Sequence, residues 1–491
     1  MNPYEFMFPR LEGAELEKDP SPFIRLVEKG VSGFILFGGR LDAVRAGIEE
    51  LRGRARLPLI IASDLERGLG QQVEGGTVLP SAMAFGSASE GGMGDEVLGR
   101  AFSFLAAEAR WAGINMVLAP VLDINSNPEN PIIATRAFGE LPETVSRLGV
   151  LMAERFARQG VYACGKHFPG HGDTYQDSHL ELPAIEKTFG ELEKFELKPF
   201  RAAIKAGVPA IMTGHLRLPL EDPSGLPATL SRRALDYLRS GMGFEGLIIT
   251  DALNMAGAGG QQGLDEGQRA EMALLAGANV LLHPSRPEET AGHLLECLSA
   301  GRTAPWASGI GLLREKRSAL AGGQLRAPSL PDFEGNRGLA HEIALRAIRA
   351  AGISTALRLD TANLLVVVLT DDPRRLGPFV RELEDRAPSV KFFINPGMGF
   401  TGKPSGEDAL LKEMARGGRL LAVAHSTPEA WKPPSPGLRR NIRRFSAMGP
   451  VWLSFGNPYV IAGERRKILT YSDNPELQRE MAERVAAGRF F

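Results

Sequence analysis

Val161-Tyr162-Ala163-Cys164-Gly165-Lys166-His167-Phe168-Pro169-Gly170-His171-Gly172-Asp173-Thr174 is the stretch on which the reading of the fold turns. Its first half is short and apolar, the pattern of a buried strand, and it closes on Lys166 and His167. Its second half cannot continue as a helix, because Pro169, Gly170 and Gly172 interrupt it. A buried strand therefore runs straight into a loop of ionisable groups. With Asp177-Ser178-His179 close behind, three of the chain's eight histidines fall in this one region. Loops that carry titratable side chains are a common place for chemistry.

The same motif repeats outward from this point. Apolar runs suited to strands occupy Phe6–Leu11, Gly33–Phe37, Leu59–Ser63, Asn115–Pro120, Val161–Lys166, Ala210–Gly214, Leu247–Thr250 and Asn279–Leu282. Helix-like segments lie between them, among them Glu96–Ala112, Leu141–Gln159, Phe189–Ala206 and Gln268–Ala276. Strand and helix alternating in this way predict parallel α/β architecture, and eight units in about 300 residues favour a (β/α)8 TIM-like barrel. The strands run into Asp64, Asp123, Lys166-His167, His215, Asp251 and His283. In such barrels the active site forms where strands end and loops begin.

Residues 1–322 are thus expected to form a catalytic barrel. Residues 323–337, rich in Gly, Pro and Ser and without periodicity, read as a linker. Strand signals resume at Leu364–Leu369, Lys391–Ile394, Leu420–Ala424, Val451–Phe455 and Ile468–Tyr471, which predicts a smaller α/β sandwich domain over residues 338–491. Gly241-Met242-Gly243-Phe244-Glu245-Gly246 spells a dinucleotide fingerprint but precedes its strand instead of following one, so it reads as a turn. A formal charge of −1 gives no reason to expect nucleic acid or an anionic membrane as partner. The absence of a basic n-region or a long apolar stretch leads to the expectation of a cytoplasmic enzyme. Cys164 and Cys297 have no CxxC spacing, so neither a disulfide framework nor a cysteine zinc site is expected. His167 and His171 are four apart, but Phe-Pro-Gly between them is no helix face. No metal and no cofactor is expected.

Two groups suit catalysis. Asp251 follows the apolar run Leu247–Thr250; a carboxylate fixed at a barrel strand end can be held where a nucleophile must be, although Asp is also a favoured helix cap. Asp177 and His179 share a side in an extended segment, so the carboxylate can accept the imidazole N–H and fix its tautomer, although an ordinary surface pair has the same spacing. Lys166 and His167 can hydrogen-bond a polyhydroxy ligand, or Lys166 can pair with a buried carboxylate.

Taken together, Gly165–Thr174 and Asp177-Ser178-His179-Leu180 resemble the signature of glycoside hydrolase family 3, and more narrowly its β-N-acetylglucosaminidase branch. Ser63-Asp64-Leu65-Glu66, Asn127-Pro128-Glu129-Asn130-Pro131 with Arg136-Ala137-Phe138-Gly139, Met212–His215 through Pro227–Ser231, and Gly246–Met255 are similar to further segments of that family, in order. The resemblance implies a two-domain retaining glycosidase that acts on small soluble N-acetylglucosaminides, such as cell-wall muropeptide fragments or chitooligosaccharides. It implies Asp251 as nucleophile, His179 as acid/base oriented by Asp177, and Asp64, Arg136, Lys166, His167 and His215 as sugar-binding residues. A histidine then replaces one of the two carboxyl groups usual in retaining sites. After Asp64 the run Glu66–Val73 departs from the family's Gly-Gly-Arg-Val pattern. Phosphorolysis by the same residues, β-glucosidase activity and a non-catalytic sugar-binding scaffold are the alternatives.

Overall fold

The computed structural model describes residues 1–174, 182–259, 263–302, 306–323, 329–354, 357–394, 406–426 and 434–490. They form two compact units: residues 1–78, 95–133 and 137–337, and residues 79–94, 134–136 and 338–491.

The first unit is built on nine short strands: β1 (Met7–Phe8), β2 (Arg10–Glu12), β3 (Gly33–Phe37), β4 (Ile60–Ser63), β5 (Met116–Val117), β6 (Tyr162–Phe168), β7 (Ala210–Thr213), β8 (Leu247–Ile249) and β9 (Leu281–Leu282). β2 to β8 are neighbours in one parallel sheet, and β1 pairs in parallel with β9. β1 and β2 are one run interrupted at Pro9, which has no N–H to give but whose carbonyl accepts from Ile35 N at 2.9 Å. A parallel bridge from Ile249 to Val280 joins β8 to the chain entering β9. The ring therefore closes with eight strand positions, the TIM-like barrel that the apolar runs predict. β4, β7 and β8 are buried at every residue, as parallel strands covered on both faces must be.

Helices follow the strands. Asp95–Trp111 and Pro142–Arg158 fall within a residue of expectation. The single helix expected over Phe189–Ala206 is instead two, Phe189–Leu192 and Lys198–Lys205. Pro199 explains the division: it cannot donate within a helix and sits in the first turn of the second piece. Residues 333–337 of the expected linker belong to the helix Phe333–Ala347.

The second unit holds a six-stranded sheet: β10 (Arg349–Ala351), β11 (Leu365–Thr370), β12 (Lys391–Ile394), β13 (Leu420–Ser426), β14 (Val451–Gly456) and β15 (Lys467–Leu469). Their order is β10-β15-β14-β13-β11-β12, antiparallel only between β10 and β15. Alternate side chains of β11 serve two cores. Val366 and Val368 pack with Leu383 and Met481 on one face, while Val367 and Leu369 pack with Leu438 and Phe445 on the other. This is an α/β sandwich.

Candidate active site

The C-terminal ends of the barrel strands gather the polar residues. Lys166, in the last part of β6, is almost fully buried, and its Nζ lies 2.7 Å from Asp64 Oδ1 and 2.6 Å from Glu66 Oε1. Asp64 comes directly after β4. A buried ammonium needs such partners, since it cannot be left without compensation in a low-dielectric interior. Glu66 was not singled out in the sequence. The available signal was its spacing of two from Asp64, which puts both side chains on one side of an extended segment.

The next residue, His167, turns to a different carboxylate. Asp123 follows β5 and is fully buried. It accepts His171 N at 2.7 Å, His167 N at 3.2 Å and the His167 ring through Nδ1 at 2.7 Å. Burial alone would push the Asp123 carboxyl up, but the His167 ring and these N–H donors outweigh it and hold the carboxyl below its ordinary value. Asp123 is therefore ionised near neutral pH and can only accept. It follows that His167 Nδ1 donates to Asp123. The sequence showed Asp123 at a strand end but gave it no role.

His171 packs edge-on against His167, with ring centroids 6.2 Å apart. Its Nδ1 lies 2.8 Å from Thr174 Oγ1, and its buried Nε2 has no hydrogen-bond partner among the described residues. Burial, opposed by the charge of Asp123, pushes its imidazole down to about 4. The turn is held from outside by Asn130, whose Nδ2 donates to His171 O at 2.8 Å while its Oδ1 accepts Ile132 N and Ile133 N. Gly172 is obligatory for the close approach: a Cβ there would stand 1.7 Å from Ile124 O.

Asp251 is half-buried, two residues beyond β8, and its Oδ1 accepts Ala252 N at 2.8 Å. His215, two residues beyond β7, is fully buried. Its Nε2 donates to Ala252 O at 3.1 Å and its Nδ1 meets Thr229 Oγ1 at 3.0 Å. His215 thus braces the peptide that follows Asp251. Asp251, Asp64 and Lys166 all act electrostatically on Cys164, and Asp251 and Asp123 both act on His171. The ends of β4, β5, β6 and β8 share the C-terminal end of one parallel barrel sheet. Arg136 ends the short helix Ala134–Arg136, which belongs to the second unit. Asp177 and His179 lie outside the described residues.

Known proteins with similar sequences and structures place the chain in a family. The family profile described as "Glycosyl hydrolase family 3 N terminal domain" matches residues 27–306. A protein named "Beta-hexosaminidase" from Neisseria meningitidis serogroup B is 36% identical over 272 residues, covering 54% of this chain and 74% of that protein. "Beta-hexosaminidase A" from Pseudoalteromonas piscicida is 38% identical over 220 residues, so 42% of this chain spans only 37% of that longer protein. A solved glycoside hydrolase family 3 β-N-acetylglucosaminidase from Paenibacillus sp. str. FPU-7 superposes with a TM-score of 0.82 at 28% identity, over 99% of this chain and 96% of that one. With more than half of its length matched to the family's N-terminal domain and a barrel mouth lined by strand-end carboxylates, lysine and histidine, this chain belongs to glycoside hydrolase family 3.

Proposed function

We propose that the chain is a retaining exo-β-N-acetylglucosaminidase that removes terminal N-acetylglucosamine from small soluble glycosides, either muropeptide-like cell-wall fragments or chitooligosaccharides. The observation that carries this reading is that Asp251, Asp64, Lys166 and the Asp123–His167 pair stand toward the C-terminal ends of strands in one parallel barrel sheet. The fold runs the full length of a solved β-N-acetylglucosaminidase, which supports the substrate class.

In this reading Asp251 attacks the anomeric carbon as the glycosidic C–O bond breaks. His179, oriented by Asp177, gives its proton to the departing oxygen. The same imidazole then takes a proton from water, which attacks the anomeric carbon and releases Asp251. Asp64, Lys166 and His167 bind the sugar hydroxyls, and His215 contributes by fixing the turn beyond Asp251. No described helix is long and apolar enough to cross a membrane.

The test is hydrolysis of p-nitrophenyl β-N-acetylglucosaminide against the β-glucoside, with the first-formed anomer followed by NMR. The reading requires the N-acetylglucosaminide to be preferred and β-sugar to appear first. Preference for the glucoside, or first release of α-sugar, would overturn it. Repeating the reaction in phosphate buffer separates hydrolysis from phosphorolysis, because only the latter yields sugar 1-phosphate.

A further inference from the structure

We propose that Glu271, His293 and Cys297 form a site for a thiophilic divalent cation of the zinc type, on two helices that surround the barrel. One ligand atom from each residue lies within 4.8 Å of the others. His293 and Cys297 are four apart on the helix Pro287–Ser299, so they share a face. Glu271 reaches them from the helix Glu266–Ala276, with an oxygen 2.9 Å from His293 Nε2. The approach of the two helices depends on Gly267: a Cβ there would stand 2.8 Å from His293 Cβ.

The donor set argues for the kind of ion. Calcium and magnesium take oxygen ligands, whereas sulfur, imidazole nitrogen and carboxylate together suit zinc or cobalt(II) and leave the fourth tetrahedral position open. A second observation concerns charge. Arg302 Nε lies 3.0 Å from Glu271 Oε1, and its Nη2 lies 3.2 Å from Cys297 Sγ. A cationic group already stands among these donors. Arg302 is 54% exposed, so it can move into water at small cost. Metal binding would release the Cys297 thiol proton to solvent, and the thiolate would become a ligand. The competing account is an ion-pair cluster in which Arg302 is the permanent cation. The two accounts predict opposite effects of removing it.

The experiment uses the full chain, treated with chelator, dialysed and titrated with Co²⁺. The proposal predicts one ion per chain, a sulfur-to-cobalt charge-transfer band in the near ultraviolet, and displacement by Zn²⁺. Cys297→Ser should abolish the band and weaken binding by at least about 10-fold, with activity on the nitrophenyl glycoside unchanged. Glu271→Gln should keep the band and weaken binding, and it serves if Cys297→Ser fails to fold. Arg302→Ala should bind cobalt more tightly than wild type. No charge-transfer band in the wild type, equal cobalt affinity in Glu271→Gln, or weaker binding in Arg302→Ala would overturn the proposal in favour of the ion-pair cluster.

Discussion

Asp123→Asn should damage activity through a ring that Asp123 itself does not lend to the substrate. The carboxylate takes three N–H groups on two oxygens, two of them at 2.7 Å on different oxygens. Asparagine keeps one oxygen and puts an NH₂ in place of the other. If the nitrogen faced His171 N, two donors would meet with no remedy, because a backbone N–H cannot change. The nitrogen will instead face His167, whose backbone N–H still reaches the oxygen kept at the Oδ1 position, 3.3 Å away, and whose Nδ1 can accept once its proton is gone. The variant therefore folds with Nδ1 accepting and the ring's proton on Nε2, which changes the hydrogen bonding that the ring can offer the sugar. Exchanging charge-assisted hydrogen bonds for neutral ones forfeits about 1 kcal/mol for each of three contacts, partly offset by no longer burying a charge, so a stability loss of roughly 2 kcal/mol is expected. A mismatched hydrogen bond to the sugar should lower kcat/KM about 10- to 100-fold. The assay is steady-state hydrolysis of p-nitrophenyl β-N-acetylglucosaminide by Asp123→Asn, His167→Gln and the double variant, with denaturant unfolding of each. If the account holds, Asp123→Asn costs much in the wild-type background and little in His167→Gln, where no tautomer is left to set. Equal losses in both backgrounds would refute the reasoning.

Three other outcomes are expected. Lys166→Met leaves Asp64 and Glu66 facing each other without their shared cation and should destabilise the protein by about 3–5 kcal/mol; adding Glu66→Gln should restore part of this in the same unfolding titration. His171, with a folded value of about 4 against an ordinary 6.5, is depressed on folding. Its contribution is therefore fully present above pH 6.5 and is lost as the pH falls through about 4; at ~1.4 kcal/mol per pH unit this is roughly 3 kcal/mol, and a His171→Gln variant should show a flatter stability curve between those limits. His179→Ala should slow substrates with poor leaving groups far more than activated aryl glycosides, because a stable leaving oxygen needs less acid assistance; equal losses on both would remove His179 from the role of acid.

The barrel was legible because each central strand is an unbroken apolar run ending in a polar residue, a pattern that burial on two faces imposes. The interruption of the first strand at Pro9 and the division of the helix at Pro199 are consequences of missing N–H groups, which hydrophobic spacing does not register. β10 was missed because Arg349–Ala351 is short and not buried, and its pairing with β15 lies more than a hundred residues away in sequence. Lys166, His167 and Asp64 could be placed at strand ends from the apolar runs that precede them. The work of Asp123 could not, because it depends on the turn at residues 169–172 bringing two backbone N–H groups and one ring to a single carboxylate. His215 shows the reverse case: its strand-end position suggested sugar contact, while its buried ring spends both nitrogens on Thr229 and Ala252. Cys297 gave only a negative signal, the lack of a CxxC spacing, because His293 and Glu271 come near it through helix geometry across two helices.

The central claim is that the carboxylate beyond β8 becomes covalently bound to the sugar. Incubation with a 5-fluoro N-acetylglucosaminyl fluoride, which keeps the acetamido group but turns over slowly, followed by proteolysis and mass spectrometry, reads this directly. The account predicts one sugar per chain on the peptide containing Asp251, absent in Asp251→Ala. A label on another carboxylate would contradict it.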